Sequence, residues 1–215
     1  MNDMLADPEP TAYVVDDDES IRTLWQWLME SNGIAVRTFA TAGEFITACP
    51  PDAPGCLVLD LRLPGMSGLE LQGHLKQKGV EIPIVIVTGH GDIPTAVNAI
   101  KDGAVDFIEK PFSYREALSI VQAAFRRDAE ARGKRLRRLV VSGRLATLTD
   151  RERDVLRRII EGKPNKIIAE ELEISVKTVE FHRSKLMEKM GADSVATLVQ
   201  LALGFSLIEA SGPEG

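Results

Sequence analysis

Asp16 and Asp17 directly follow the apolar pair Val14 and Val15, Asp60 follows Leu59, Thr88 follows Val87, and Lys110 follows Ile108 and Glu109. Groups able to carry charge or protons therefore stand where short apolar runs stop. Three carboxylates brought together repel one another unless a divalent cation lies among them, and an all-oxygen donor set favours Mg²⁺. Magnesium leaves coordination positions open to phosphate oxygens. A hydroxyl, Thr88, and an ammonium, Lys110, opposite the metal complete a site for a phosphoryl group, and a carboxylate can accept that group as nucleophile. A single acid at a strand end merely solvates a loop, whereas five suitable residues at the ends of four runs point to phosphoryl chemistry.

The elements that must position these groups are legible in the first 112 residues. Short β-branched runs at 12–15, 34–39, 57–59, 84–87 and 106–108 read as strands, and between them apolar residues recur at helical spacing, as in Ile21, Leu24, Trp25 and Leu28. The runs at 57–59 and 84–87 are continuously apolar, as strands covered on both faces are, so the pattern predicts a doubly wound α/β domain with a parallel sheet. Ligands of such sheets bind at the carboxyl ends of the strands, where the acids stand.

The chain of 215 residues, 44% apolar and 27% charged, is an ordinary globular composition that excludes disordered, collagen-like and disulfide-framework classes. It lacks the run of roughly 18 apolar residues a membrane span needs, and residues 1–10 are acidic rather than signal-like, which predicts a cytoplasmic protein without membrane contact. Cys49 and Cys56 bracket a Pro-rich stretch without CxxC spacing and read as incidental reduced thiols. The net charge of −6 conceals an asymmetry: residues 1–124 hold 18 acids and 8 bases, residues 125–215 hold 14 acids and 18 bases. The second part is the one suited to a polyanion.

From residue 114 to about 139 a helical pattern runs into a basic stretch, Arg126, Arg127, Arg132, Lys134, Arg135, Arg137 and Arg138, read as a solvated connecting helix, and Gly143 marks a joint. Beyond it lies a short all-helical unit. Thr149 with Glu152 forms a capping box, residues 165–172 a second helix, and Ser175 caps a third from 176 to about 190. Two short helices with a tight connection, bounded by bases, form a helix-turn-helix pattern. On the third helix Val179, His182, Leu186 and Met190 form the stripe predicted to face the core. Lys177, Thr178, Glu180, Phe181, Arg183, Ser184 and Lys185, with Lys166 on the preceding helix, form the candidate DNA-binding face. Phe181 is suited to a thymine methyl and Glu180 to a cytosine amino group.

Four ordered motifs, VVDDDES, LVLDLRLPGMSG, IVIVTGHGD and DFIEKPF, resemble those of response-regulator receiver domains, whose fold is a flavodoxin-like five-stranded parallel sheet. The stretch LTDRERDVLRRIIEGKPNKIIAEELEISVKTVEFHRSKLMEKMGA resembles the LuxR-type helix-turn-helix, an all-α four-helix domain. Together they place the chain near the FixJ/NarL class. The resulting plan is an N-terminal tail over 1–10, a receiver over 11–125, a linker helix and joint over 126–145, a LuxR-type domain over 146–208 and a C-terminal tail over 209–215.

The resemblance implies that a sensor histidine kinase phosphorylates Asp60, and that Asp17, Asp60 and the backbone carbonyl of Arg62 bind Mg²⁺ with Asp16 assisting. It also implies that Lys110 precedes a cis Pro111, that Thr88 and Phe107 act as switch residues, and that the phosphorylated protein dimerises through a face carrying Val97, Lys101 and Asp106. Promoter DNA, and RNA polymerase, are the further expected partners. The resemblance further implies that Asp60 gains and slowly loses its phosphoryl group, which is not enzymatic turnover. Leu63 replaces a common methionine, Glu173 stands where the turn glycine is usual, and Phe181 where a smaller residue is.

Two other readings compete. Haloacid-dehalogenase-type phosphatases also place a DxD, a threonine and a lysine in this order, which Asp16, Asp18, Thr88 and Lys110 mimic. They require a further acidic motif after the lysine and give no role to Asp60. A signalling protein whose second domain binds protein rather than DNA is disfavoured by the basic, capped third helix.

Overall fold

The computed structural model describes residues 9–48, 50, 52–89 and 93–209. The first unit alternates strands and helices: β1 (Thr11–Val15), α1 (Glu19–Glu30), β2 (Ala35–Phe39), α2 (Ala42–Ala48), β3 (Gly55–Asp60), α3 (Gly68–Gln77), β4 (Ile84–Thr88), α4 (Ile93–Lys101), β5 (Asp106–Glu109) and α5 (Tyr114–Ala146). The five strands form one parallel sheet in the order β2-β1-β3-β4-β5. Neighbouring strands differ from the sequence-predicted bounds by one or two residues at their ends.

Period-two alternation sorts each central strand between two apolar layers. Tyr13, Val15, Leu57, Leu59, Ile84 and Ile86 face a core completed by Phe45, Leu71, Leu75 and Ala99 of α2, α3 and α4. Their alternates Ala12, Val14, Cys56, Val58, Val85 and Val87 face Trp25, Leu28 and Met29 of α1 and Ala117, Val121 and Ala124 of α5. Both faces being covered, β3 and β4 are buried along their whole length, while edge strand β2 alternates. The direction of sheet building reverses at β1, which opens a crevice at the carboxyl ends of β1 and β3. Burial of Cys56 pushes its thiol far above the usual range and leaves it inert; Cys49 lies outside the described residues.

The division between two compact units falls between Arg132 and Gly133, inside α5. Gly143 does not mark a joint: α5 continues through it to Ala146. A mid-helix glycine costs about 1 kcal/mol, but the buried Val141 and the partly buried Leu145 on either side of it pack on the C-terminal core and hold the turn helical. Arg132 also departs from the solvated reading. It donates to buried Asp128 at 2.8 Å and to the Ala53 carbonyl, and Asp128 accepts the Gly55 N–H at 2.9 Å. Among the described residues no helix is long and apolar enough to cross a membrane.

The second unit comprises the end of α5 with α6 (Asp150–Ile160), α7 (Asn165–Leu172), α8 (Val176–Met190) and α9 (Val195–Glu209). Both halves of the Thr149–Glu152 capping box are formed. Glu152 is buried; burial favours its neutral form, but the Lys189 ammonium at 2.7 Å and the Thr149 N–H outweigh that and hold its carboxyl below the usual range. Val179, Leu186 and Met190 are fully buried in the common core with Ile168 and Leu198. His182 is not: it lies half-buried at the rim of that core, its ring edge-on to Phe181 at 5.7 Å.

Glu173 ends α7 in the left-handed region, at φ 55 and ψ 42, so the turn is kept without its glycine. A non-glycine there costs about 1 kcal/mol. Glu173→Gly is therefore expected to stabilise the second unit by roughly 0.5 kcal/mol, part of the relief being offset by the freer unfolded chain. A slightly raised urea midpoint in the far-ultraviolet signal of residues 133–215 checks this; a lowered one contradicts it.

Candidate phosphoacceptor site and DNA-facing surface

The carboxyl ends of β1, β3 and β5 bring Asp16, Asp60 and Lys110 into contact. The Lys110 ammonium donates to Asp16 Oδ2 at 2.7 Å and to Asp60 Oδ2 at 2.5 Å. Each remaining oxygen is held by backbone: Asp16 Oδ1 accepts the Asp18 N–H at 3.0 Å, and Asp60 Oδ1 the Arg62 N–H at 2.9 Å. Asp16 and Asp60 are buried, whereas Asp17 opens to solvent. One carboxylate oxygen from each of the three lies within 4.8 Å of the others.

Burial raises the Asp16 carboxyl above its ordinary range against the opposing pull of Lys110. Burial alone would lower Lys110, but its hydrogen bonds to Asp16 and Asp60 prevail and raise it. The ammonium thus stays charged between two acids. The three carboxylates are hard, crowded oxygen donors with one arm open to water, a set that fits Mg²⁺. Receiver domains typically bind Mg²⁺ at such an acidic pocket.

Asp18 takes no part in this pocket. Its carboxylate caps α1 by accepting the Ser20 N–H at 2.8 Å, a bond that holds it below the usual carboxylate range. The DxD of the phosphatase reading is accordingly broken. Thr88 ends β4 fully buried, its hydroxyl donating to the Gly89 carbonyl at 3.3 Å. Its own carbonyl accepts the Lys110 N–H at 2.7 Å. Phe107 is half-buried against the α2–α4 layer. The Lys110–Pro111 bond is cis. Val97, Lys101 and Asp106 are all exposed, Asp106 accepting the Phe107 N–H at 2.8 Å.

Two positioning residues escaped the sequence reading. Arg22, on the first turn of α1, donates to the Asp16 carbonyl at 2.7 Å and the Asp17 carbonyl at 2.9 Å, fixing the acidic loop. Its spacing from the acid pair was the only available signal. Gly68 opens α3 against the end of β3: a Cβ there would lie 2.3 Å from the Asp60 carbonyl oxygen.

On the second unit, α8 begins at Ser175, which accepts the Thr178 N–H at 3.0 Å and shares a hydroxyl contact of 2.8 Å with Thr178. Lys166, Lys177, Glu180, Phe181 and Ser184 are exposed, Phe181 by 59%. Arg183 is half-buried, and Lys185 is engaged by Glu188 at 2.8 Å. Lys163 and Arg158 are both tied to Glu171. Lys166, Lys177 and Arg183 make no ion pair among the described residues, which leaves them the available cations of the two-helix motif.

A five-stranded receiver fold with its acid pocket, joined to a helical domain presenting a capped basic helix, defines a response regulator with a DNA-binding output. The chain belongs to that family: residues 12–122 match the response regulator receiver domain and residues 146–202 the bacterial regulatory proteins of the luxR family. It is 44% identical over 191 residues to transcriptional regulatory protein FixJ of Azorhizobium caulinodans, covering 89% of this chain and 90% of that one. To response regulator protein TodT of Pseudomonas putida it is 40% identical over 197 residues, 92% and 87% of the two chains. The solved structure of response regulator StyR aligns with TM-score 0.83 and 43% identity over 91% of this chain and 98% of that one. The protein is a DNA-binding two-component response regulator, and its pair of domains implies a kinase partner and a DNA target.

Proposed function

We propose that Asp60 is the phosphoacceptor and that its phosphorylation by a histidine kinase controls promoter binding through α8. The observation that carries this reading is the Lys110 ammonium held between Asp16 and Asp60 while Asp17 lies alongside. An Asp60 oxygen attacks phosphorus, the bond from phosphorus to the donor's nitrogen breaks, and the donor leaves with the electron pair. Asp17, Asp60 and the Arg62 carbonyl would hold Mg²⁺ with Asp16 assisting, and the ion would neutralise phosphoryl charge. Lys110 moves its hydrogen bond to a phosphoryl oxygen, and the Arg62 N–H keeps the carboxyl oriented. Thr88 then turns its hydroxyl from Gly89 to the phosphoryl group, Phe107 follows, and the Val97, Lys101 and Asp106 face pairs with a second chain.

The full chain, incubated with Mg²⁺ and a small phosphodonor, is expected to gain one base-labile phosphoryl group on the peptide containing Asp60. A label on another peptide contradicts the assignment, as does a label of undiminished rate in excess EDTA.

For DNA, α8 enters the major groove, with Arg183, Lys166 and Lys177 on phosphates and Phe181 on a base edge. Arg183→Ala is expected to weaken every duplex alike and to reduce the salt slope by about one ion. Phe181→Ala should cost about 1 kcal/mol or more, mainly at sites with thymine opposite it. Salt titrations on duplexes with thymine or uracil at that position separate the two. Equal losses on both duplexes for Phe181→Ala would remove it from the reading face.

A further inference from the structure

α5 carries an apolar face that nothing in the second unit covers. Leu136, Leu139 and Val140 are 64%, 66% and 45% exposed. With Gly143 they follow the i, i+3, i+4, i+7 spacing of one helix stripe. Val141 and Leu145, which pack on the α6–α9 core, project from the opposite side of the helix. So do Lys134, Arg137 and Arg138, which with Val141 and Leu201 line a groove between α5 and α9. The stripe carries no charged side chain of its own, and Arg135, four residues before Leu139, flanks it.

Two glycines border it, Gly133 and Gly143. A Cβ at Gly143 would meet nothing within 4 Å, and one at Gly133 only the guanidinium of Arg137 at 3.6 Å. Neither glycine has a packing reason inside the chain, although each weakens a helix. Small residues beside exposed leucines are what a closely approaching second helix needs.

We infer that this stripe pairs with the same stripe of a second copy, the two α5 helices running parallel. With Leu136 and Leu139 as the seam, a parallel pair sets Arg135 of one chain across from Val140 of the other, whereas an antiparallel pair sets the two Arg135 side chains together. Three exposed side chains fall well short of the roughly 800 Å² per partner that a stable complex buries. The pair is thus conditional: it closes when another contact holds two chains together. That contact is the phosphorylated receiver face, so the trigger, though not the stripe, rests on the Asp60 reading.

The test uses the full chain bearing Cys49→Ser and either Leu139→Cys on the stripe or Arg138→Cys opposite it. Sedimentation, oxidative cross-linking and phosphoryl content are followed together across a concentration series with Mg²⁺ and a small phosphodonor. Wherever dimers form, Leu139→Cys should cross-link about tenfold faster than Arg138→Cys, as seam positions do. Leu136→Glu with Leu139→Glu should abolish most of the dimer without lowering phosphoryl content or the stability of the second unit. Equal cross-linking, an undiminished dimer in the double variant, or a monomer throughout the series overturns the pairing. A dimer cross-linked through Leu139→Cys with Asp60 unlabelled upholds the pairing and overturns the phosphoacceptor reading.

Discussion

Asp60→Asn is expected to reduce acyl-phosphate formation to background. An amide oxygen is a poor nucleophile, and the neighbouring acids cannot replace it. Asp16 is 2% exposed, its two oxygens held by Lys110 and by the Asp18 N–H. Asp17 is exposed but its peptide is pinned from behind by Arg22, and no lysine contact orients its carboxylate among the described residues. The loss should be one of chemistry alone, since asparagine retains an oxygen for the Arg62 N–H and the site remains packed. Phosphodonor labelling, with the receiver's fold checked by tryptophan fluorescence, reads both. The signal is clean because the chain's two tryptophans, Trp25 and Trp27, both belong to α1. Labelling of Asp60→Asn at the wild-type level would move the phosphoacceptor elsewhere.

Gly68→Ala is expected to destabilise the receiver by about 3 kcal/mol or more, because the added methyl meets rigid backbone and not a side chain that can turn away. Its Cβ would stand 2.3 Å from the Asp60 carbonyl oxygen and 3.0 Å from the Leu61 Cα. Relief requires α3 to lift from β3, which strains the Gly68 N–H bond to the Leu61 carbonyl and the Ser67–Glu70 capping box. Because α3 starts against the backbone of Asp60 and Leu61, the same substitution should also slow labelling of Asp60. Urea unfolding followed by tryptophan emission measures the first effect. A midpoint equal to wild type would show that the loop accommodates a side chain.

The features written in sequence were those fixed by local patterns. Continuous apolarity in LVL at 57–59 and IVIV at 84–87 marked strands buried on both faces, and the acid or hydroxyl that follows each marked the crevice. Thr149 with Glu152, and Ser175, set the starts of α6 and α8, because capping is decided within three residues. Long-range partners left no such trace. Asp128 and Gly55 meet across 73 positions, and nothing near either one announces the bond that binds α5 to the start of β3. Gly143 read as a break because propensity is local, while the packing of Val141 and Leu145 that overrides it is tertiary. His182 satisfied helical periodicity yet fell at the edge of the core, since a stripe fixes direction and not depth. Gly68 was visible only as part of a motif; its reason, the nearness of the Asp60 carbonyl, belongs to the folded chain.

The central claim is that the phosphoryl group on Asp60 governs DNA binding, and the most direct measurement compares affinities with and without it. Duplexes enriched from a random library by the protein treated with Mg²⁺ and phosphodonor would be titrated by fluorescence anisotropy with wild type and Asp60→Asn, each with and without the donor. Phosphorylated wild type should bind about tenfold or more tightly than unmodified wild type, within the usual range of coupling between sites, while Asp60→Asn shows the weak affinity in both conditions. Equal affinity of wild type in the two conditions, with Asp60 labelled, would contradict the account.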